Sequence, residues 1–147
     1  MLNILKRFFS NLAVDLRYAM HDISGGIMMP QKFSLAFGAT TPHIAQVTVN
    51  ECGKFNSMLV VTPNFTNAVT TTIQILDEDG NTIFNITNEL NRGQAISAQA
   101  RNTTTFYQFD YPYPVYRNWK VQATISGDAG AGGGTVICKI YIEADKH

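Results

Sequence analysis

The apolar residues of this chain change period once, near Gly25-Gly26, and that change limits what the chain can fold into. Before it, Leu2, Leu5, Phe9, Leu12, Leu16, Ala19 and Ile23 recur three and four residues apart, as along the seam of an amphipathic helix. From Phe33 onward the apolar residues alternate with polar ones, the mark of strands with one buried face. The pattern predicts a helical arm over 1–24, a hinge over 25–32 marked by Gly25-Gly26 and Pro30, and a β-domain over 33–147.

The arm's faces are uneven. Asn3, Lys6, Arg7, Ser10, Arg17 and His21 decorate its outside, while Ile4, Phe8, Val14 and Met20 widen the apolar side beyond a two-stranded seam. Three settings bury such a helix: its own β-domain, a partner or homo-oligomeric bundle, and a membrane surface met through Lys6, Arg7 and Phe8-Phe9. Burying its apolar side chains is offset by the entropy of ordering about twenty residues, so the arm becomes ordered only when docked or bundled.

In the β-domain, alternating or β-branched runs fall at 44–49, 58–61, 69–75, 82–86, 94–100, 103–109, 119–125 and 136–142. Asp79-Gly80 between two of them signals a hairpin, in which both central residues take positive φ. Val136, Cys138, Ile140 and Ile142 line one face of the last strand, with Lys139 and Glu143 opposite. Eight or so short strands argue for an antiparallel β-sandwich, Ig-like or jelly-roll, with an N-terminal amphipathic helix. Cys138 reads as a small core residue; whether it pairs with Cys52 is open in the sequence.

Composition narrows the function. At 147 residues the chain holds one core. Eleven Lys+Arg balance eleven Asp+Glu, and the 15% of charged residues is low for a soluble domain, which favours association and speaks against nucleic acid as a partner. No apolar run is long enough for a transmembrane helix. Asp15 and Arg17 interrupt any signal-peptide core, so the chain is expected to stay in a cytoplasm until it is assembled.

Several constellations resemble chemistry and fail its requirements. Counted from Asp77, an EF-hand loop needs Gly at its sixth position and Glu at its twelfth; the chain has Thr82 and Asn88. The run from Gly127 to Gly134 lacks the Lys of a phosphate loop and leads into a strand; it reads as a floppy hairpin loop or a close backbone contact. His21, His43 and His147 share no metal-site spacing. The expectation is no enzyme, no metal and no cofactor.

The densest local signal is aromatic. Between Phe106 and Trp119 lie seven of the sixteen aromatic residues. Tyr111-Pro112-Tyr113-Pro114 is not expected to pair as a normal strand, because proline lacks the N–H. Tyr111, Tyr113, Tyr116 and Trp119 are therefore the candidate surface group, as a subunit interface or a glycan platform, with closure of one end of the core as the structural alternative.

The amphipathic arm, the charge-poor β-domain, the Asp79-Gly80 hairpin and the Gly/Ala-rich loop before Val136-x-Cys138-x-Ile140-x-Ile142 together resemble small structural β-sandwich proteins of bacteriophage virions, of decoration, vertex, neck or fibre-base type. The resemblance implies a virion subunit without catalytic residues, in a homo-oligomer or against other virion proteins. Leu2, Leu5, Phe9, Leu12, Leu16 and Ile23 would then anchor it, and strand edges and the tyrosine loop would touch neighbours. The alternatives are a carbohydrate- or receptor-binding module and a membrane-peripheral protein held by the arm.

Overall fold

A computed structural model describes residues 28–145. The arm over 1–24, with its predicted anchoring residues Leu2, Leu5, Phe9, Leu12, Leu16 and Ile23, lies outside the described residues. The chain enters as strand β1 (Met28–Phe37), followed by β2 (Ile44–Thr48), β3 (Gly53–Thr62), β4 (Thr70–Leu76) and β5 (Thr82–Asn85). A 3-10 turn at Ile86–Asn88 and three two-residue strands follow: β6 (Leu90–Asn91), β7 (Gln94–Ala95) and β8 (Gln99–Ala100). The long β9 (Thr103–Val115), then β10 (Lys120–Ile125) and β11 (Gly134–Ala144), complete the body.

The strands form two facing antiparallel sheets. Sheet A has the order β1-β11-β3-β9, and sheet B the order β2-β10-β4-β5, with β8 also on β4. Among the eight long strands, each successive one enters the opposite sheet except across the β4–β5 hairpin and, along sheet A, first and last lie side by side. That is jelly-roll order, so the Ig-like form of the expected sandwich gives way to the jelly-roll form. Phe33, Leu35 and Phe37 of β1 meet Val136, Cys138, Ile140 and Ile142 of β11 inside, facing Ile73, Ile75, Val121 and Ala123 of sheet B. Cys138 is a core residue, and Cys52 and Cys138 are both free thiols.

Several local expectations are corrected. Residues 28–32, expected in the hinge, are the first half of β1, paired from Met28↔Glu143 to Lys32↔Lys139. Pro30 is accommodated because β1 is an edge strand. The Asp79-Gly80 hairpin forms, but within the loop over 77–81 only Gly80 takes positive φ (84°). Asp77 closes that loop instead: its carboxylate accepts from the amides of Asp79 (3.0 Å) and Asn81 (2.8 Å), which hold its pKa below the ordinary value. The Gly/Ala-rich run is packed. Ala129 is fully buried, its carbonyl accepts from Asn67 N, and Gly130 N donates to Ala39 O at 2.9 Å. At Gly133 (φ 59°) a side chain would run into the Phe37 carbonyl.

Candidate interaction surfaces

The proline-rich aromatic stretch is strand, contrary to expectation. β9 continues through Pro112 and Pro114, and this costs no internal pairing because β9 is the other edge of sheet A. The register carries the irregularity: Phe55 pairs with Tyr113 and Ser57 with Gln108, so residues 109–112 bulge opposite Asn56 alone. The bulge turns neighbouring tyrosines to different fates.

Tyr113 points inward. Its ring lies 5.1 Å from Phe84, 5.8 Å from Phe55 and 6.2 Å from Phe109, in a cluster that joins the two sheets. Its hydroxyl donates to the Glu89 carboxylate. Burial first, then the hydrogen bond and charge of Glu89, push its pKa up to about 12. Tyr111 points outward and is 72% exposed. It borders a cleft of about 380 Å³ with Asn88, Glu89, Leu90, Asp110 and Tyr113. The exposed side chain of Leu90 adds apolar surface there.

Tyr116 and Trp119 form a separate pair at the turn between β9 and β10, with ring centroids 5.0 Å apart. The Trp119 indole N–H donates to Glu78 Oε2 at 2.7 Å, tying this turn to the β4–β5 hairpin. The four predicted aromatic residues thus make two places, neither of which holds all of them. Glu89 and Glu78, which set the orientation of Tyr113 and Trp119, carry no signal in the sequence, being 24 and 41 residues away from them.

The outer faces of the two sheets differ in chemistry. On sheet B the centre is amide: Gln46 donates to Gln122 at 2.7 Å, and Gln122 donates to Gln74 at 2.9 Å. On sheet A the outward Val61 pairs in register with Ile137 and the outward Leu59 with Phe106, and the Phe106 and Tyr141 rings stand 5.8 Å apart. Phe106 is 44% exposed. Lys139 sits among these side chains, in register with Leu59 on one side and Lys32 on the other, and neither lysine has a carboxylate partner among the described residues.

These features define a small jelly-roll domain with two exposed aromatic places and an apolar patch on the outside of sheet A. No family model matches the chain, and no curated protein matches it. Solved structures do. The chain is similar to the SPBc2 prophage-derived protein YomS, at 16% identity and a TM-score of 0.45, over 78% of this chain and 96% of that one. It is similar to a chain of the cyanophage Pam1 capsid asymmetric unit, at 20% identity and a TM-score of 0.47, over 80% of this chain and 86% of that one. It is also similar to a chain of the T13 IBDV viral particle, at 14% identity and a TM-score of 0.34, over 76% of this chain and 31% of that one. Phage and virus-particle proteins stand among its structural neighbours. The likeness is one of strand arrangement.

Proposed function

We propose that the protein is a non-enzymatic structural subunit of a larger assembly, a phage particle on the resemblance of its sequence. In this reading the N-terminal helix over 1–24 anchors it, and loops and edges of the β-domain touch other virion proteins or further copies of the chain. The observation that supports this reading best is Tyr111. A large amphipathic ring is held away from the body on a bulge stiffened by Pro112, with Leu90 exposed beside it, and packing among the described residues leaves it 72% exposed. Ordering such a ring at an interface costs little entropy, and tyrosine is enriched among residues that dominate binding.

The test is mass by light scattering across a concentration series, on the full chain and on Tyr111→Ala with Leu90→Ala. A defined oligomer is expected, weakened about thirtyfold in the variant if the pair contributes about 2 kcal/mol. Two monomers of equal mass at every concentration would remove homo-assembly. Tyr113 is unsuited to this test because it belongs to the core.

A second reading, carbohydrate binding, is favoured by the cleft beside Tyr111. It combines one exposed ring with the carboxylates of Glu89 and Asp110 and the amide of Asn88, groups that together suit a sugar's apolar face and hydroxyls. Saturable binding on a glycan array, lost in Tyr111→Ala, would favour it over the assembly reading.

A further inference from the structure

The free edge of β9 begins a pairing that the chain does not finish. Gln108 gives both of its main-chain groups to the strap over 89–98: its N–H donates to Asn91 Oδ1 at 3.0 Å, and its carbonyl accepts from Arg92 N at 3.1 Å. Arg92 (φ 51°) and Gly93 (φ 83°) then turn the strap back. In an antiparallel ladder a residue's N–H and C=O leave the strand on the same side, and successive residues alternate sides. Thr103 to Gln108 run one-to-one against Thr62 to Ser57, without a break in register. Thr104 and Phe106 therefore point their N–H and C=O groups the same way as Gln108, and these groups have no partner among the described residues. Both residues are exposed.

A cleft of about 380 Å³ runs along this stretch. Thr103, Thr105 and Tyr107, which alternate with the open positions, line it from β9, and Gln94, Ser97 and Gln99 line it from across. Gln99 and Tyr107 are buried and bonded to each other at 2.9 Å, and no charged side chain among the described residues lines the cleft. On the opposite face of the strand the exposed Phe106 ring stands against Tyr141.

We propose that β9 takes an extended segment of another polypeptide chain as an added strand along Thr104–Phe106. Main-chain bonds to these two residues hold it, continuing the pairing that Arg92 starts. The two sides of the edge set the chemistry of the segment. Its residues opposite Phe106 and Thr104 carry side chains on the outer face, where an apolar or β-branched group meets the Phe106 ring. The residue between them, opposite Thr105, turns its side chain toward the cleft. That side chain is uncharged, of hydroxyl or amide type, because a charge there is desolvated with no counter-charge. Natural edges are commonly guarded by proline and lysine, as β1 is by Pro30 and Lys32, and residues 103–108 contain neither. A neutral sugar could use the hydroxyls and amides of the cleft but leaves the open main-chain groups of the edge unexplained. The inference stands apart from the assembly reading, because a free peptide tests it whatever mass the chain has in solution.

The experiment starts with amide hydrogen exchange on the full chain, read residue by residue by NMR. In the free protein Thr104 and Phe106 are expected to exchange about tenfold faster than Thr105 and Tyr107, whose N–H groups face β3. The probes are short capped peptides labelled with fluorescein, with Val-X-Thr at the centre, X being Thr, Gln, Lys or Glu. Saturable anisotropy is expected with Thr and Gln, and binding about tenfold weaker with Lys and Glu. At saturation the amides of Thr104 and Phe106 slow about tenfold. Thr104→Pro removes one edge donor, leaves the ladder to β3 in place, and weakens binding about tenfold, with Trp119 emission as the check on folding. Methylating the peptide amides that face β9 has the same effect and needs no protein variant. Slow exchange at Thr104 and Phe106 in the free chain overturns the proposal, as does failure of every peptide to bind at about 1 mM. Displacement of the peptide by maltose, with no slowing of the two amides by the peptide, overturns it as well, since the cleft is then a sugar site.

Discussion

Gln99 ties the two sheets together from inside, and replacing it separates hydrogen bonding from packing. Its strand, β8, pairs with β4 of sheet B, while its side chain bonds entirely to sheet A. The amide donates to the carbonyls of Val60 at 2.9 Å and Thr103 at 3.2 Å, and its oxygen accepts from the Tyr107 hydroxyl at 2.9 Å. Gln99 and Tyr107 are both buried, and burial raises the Tyr107 pKa against a smaller opposing hydrogen bond from Thr105. Gln99→Leu keeps most of the volume and removes all three bonds, stranding the Tyr107 hydroxyl. With about 1 kcal/mol net for each of the two carbonyl bonds and at least about 1 kcal/mol for the stranded hydroxyl, the expected loss is about 3 kcal/mol. Tyr107→Phe alone costs about 1 kcal/mol. In the double variant no hydroxyl is stranded, so the loss stays near 2 kcal/mol and the coupling between the sites is about 2 kcal/mol. Equilibrium unfolding in guanidinium, followed by the emission of the single Trp119, measures all four corners of the cycle. Losses that add to within about 0.5 kcal/mol would refute the reasoning, because independent sites behave that way.

Two further results follow from backbone and charge. Gly80→Ala, at φ 84° with open space around it, is expected to cost about 1–2 kcal/mol, whereas Gly133→Ala also meets the Phe37 carbonyl and is expected to lose at least twice that in the same unfolding assay. Tyr113 titrates near 12, and unfolded phenols titrate near 10. Its contribution to stability is therefore complete below pH 10 and lost as pH rises through about 12. Ultraviolet absorbance should show Tyr113 titrating late, as should Tyr107, whose pKa burial also raises; Glu89→Gln should move the Tyr113 step down toward 10, and an unchanged titration would disprove the Glu89 contact.

Much of the body could be read from side-chain alternation alone. Val136, Cys138, Ile140 and Ile142 were expected on one face and are all fully buried, and Asp79-Gly80 does mark the β4–β5 hairpin. The candidate site was less legible. Tyr111 and Tyr113 are two residues apart and would share a face in a regular strand, but the bulge at 109–112 sends one out and the other in. The Gly/Ala-rich run has no side chains to announce contacts, so its packing against Ala39 and Phe37 is visible only in the fold.

The sequence by itself determined where most of the strands run and, away from the β9 bulge, which of their faces turn inward, because alternation with period two is a local property of the backbone. It determined the neutral, charge-poor character of the domain in the same direct way. Only the tertiary structure decided which strands are neighbours. β1 lies beside β11, with Met28 opposite Glu143, and no local pattern selects a partner at that separation. The jelly-roll order, the division of the tyrosines, and the contrast between the amide centre of sheet B and the apolar patch on sheet A all depend on such distant pairings. They emerge when the two sheets bury their inner faces against each other, because that burial sets which strands pair and in which register.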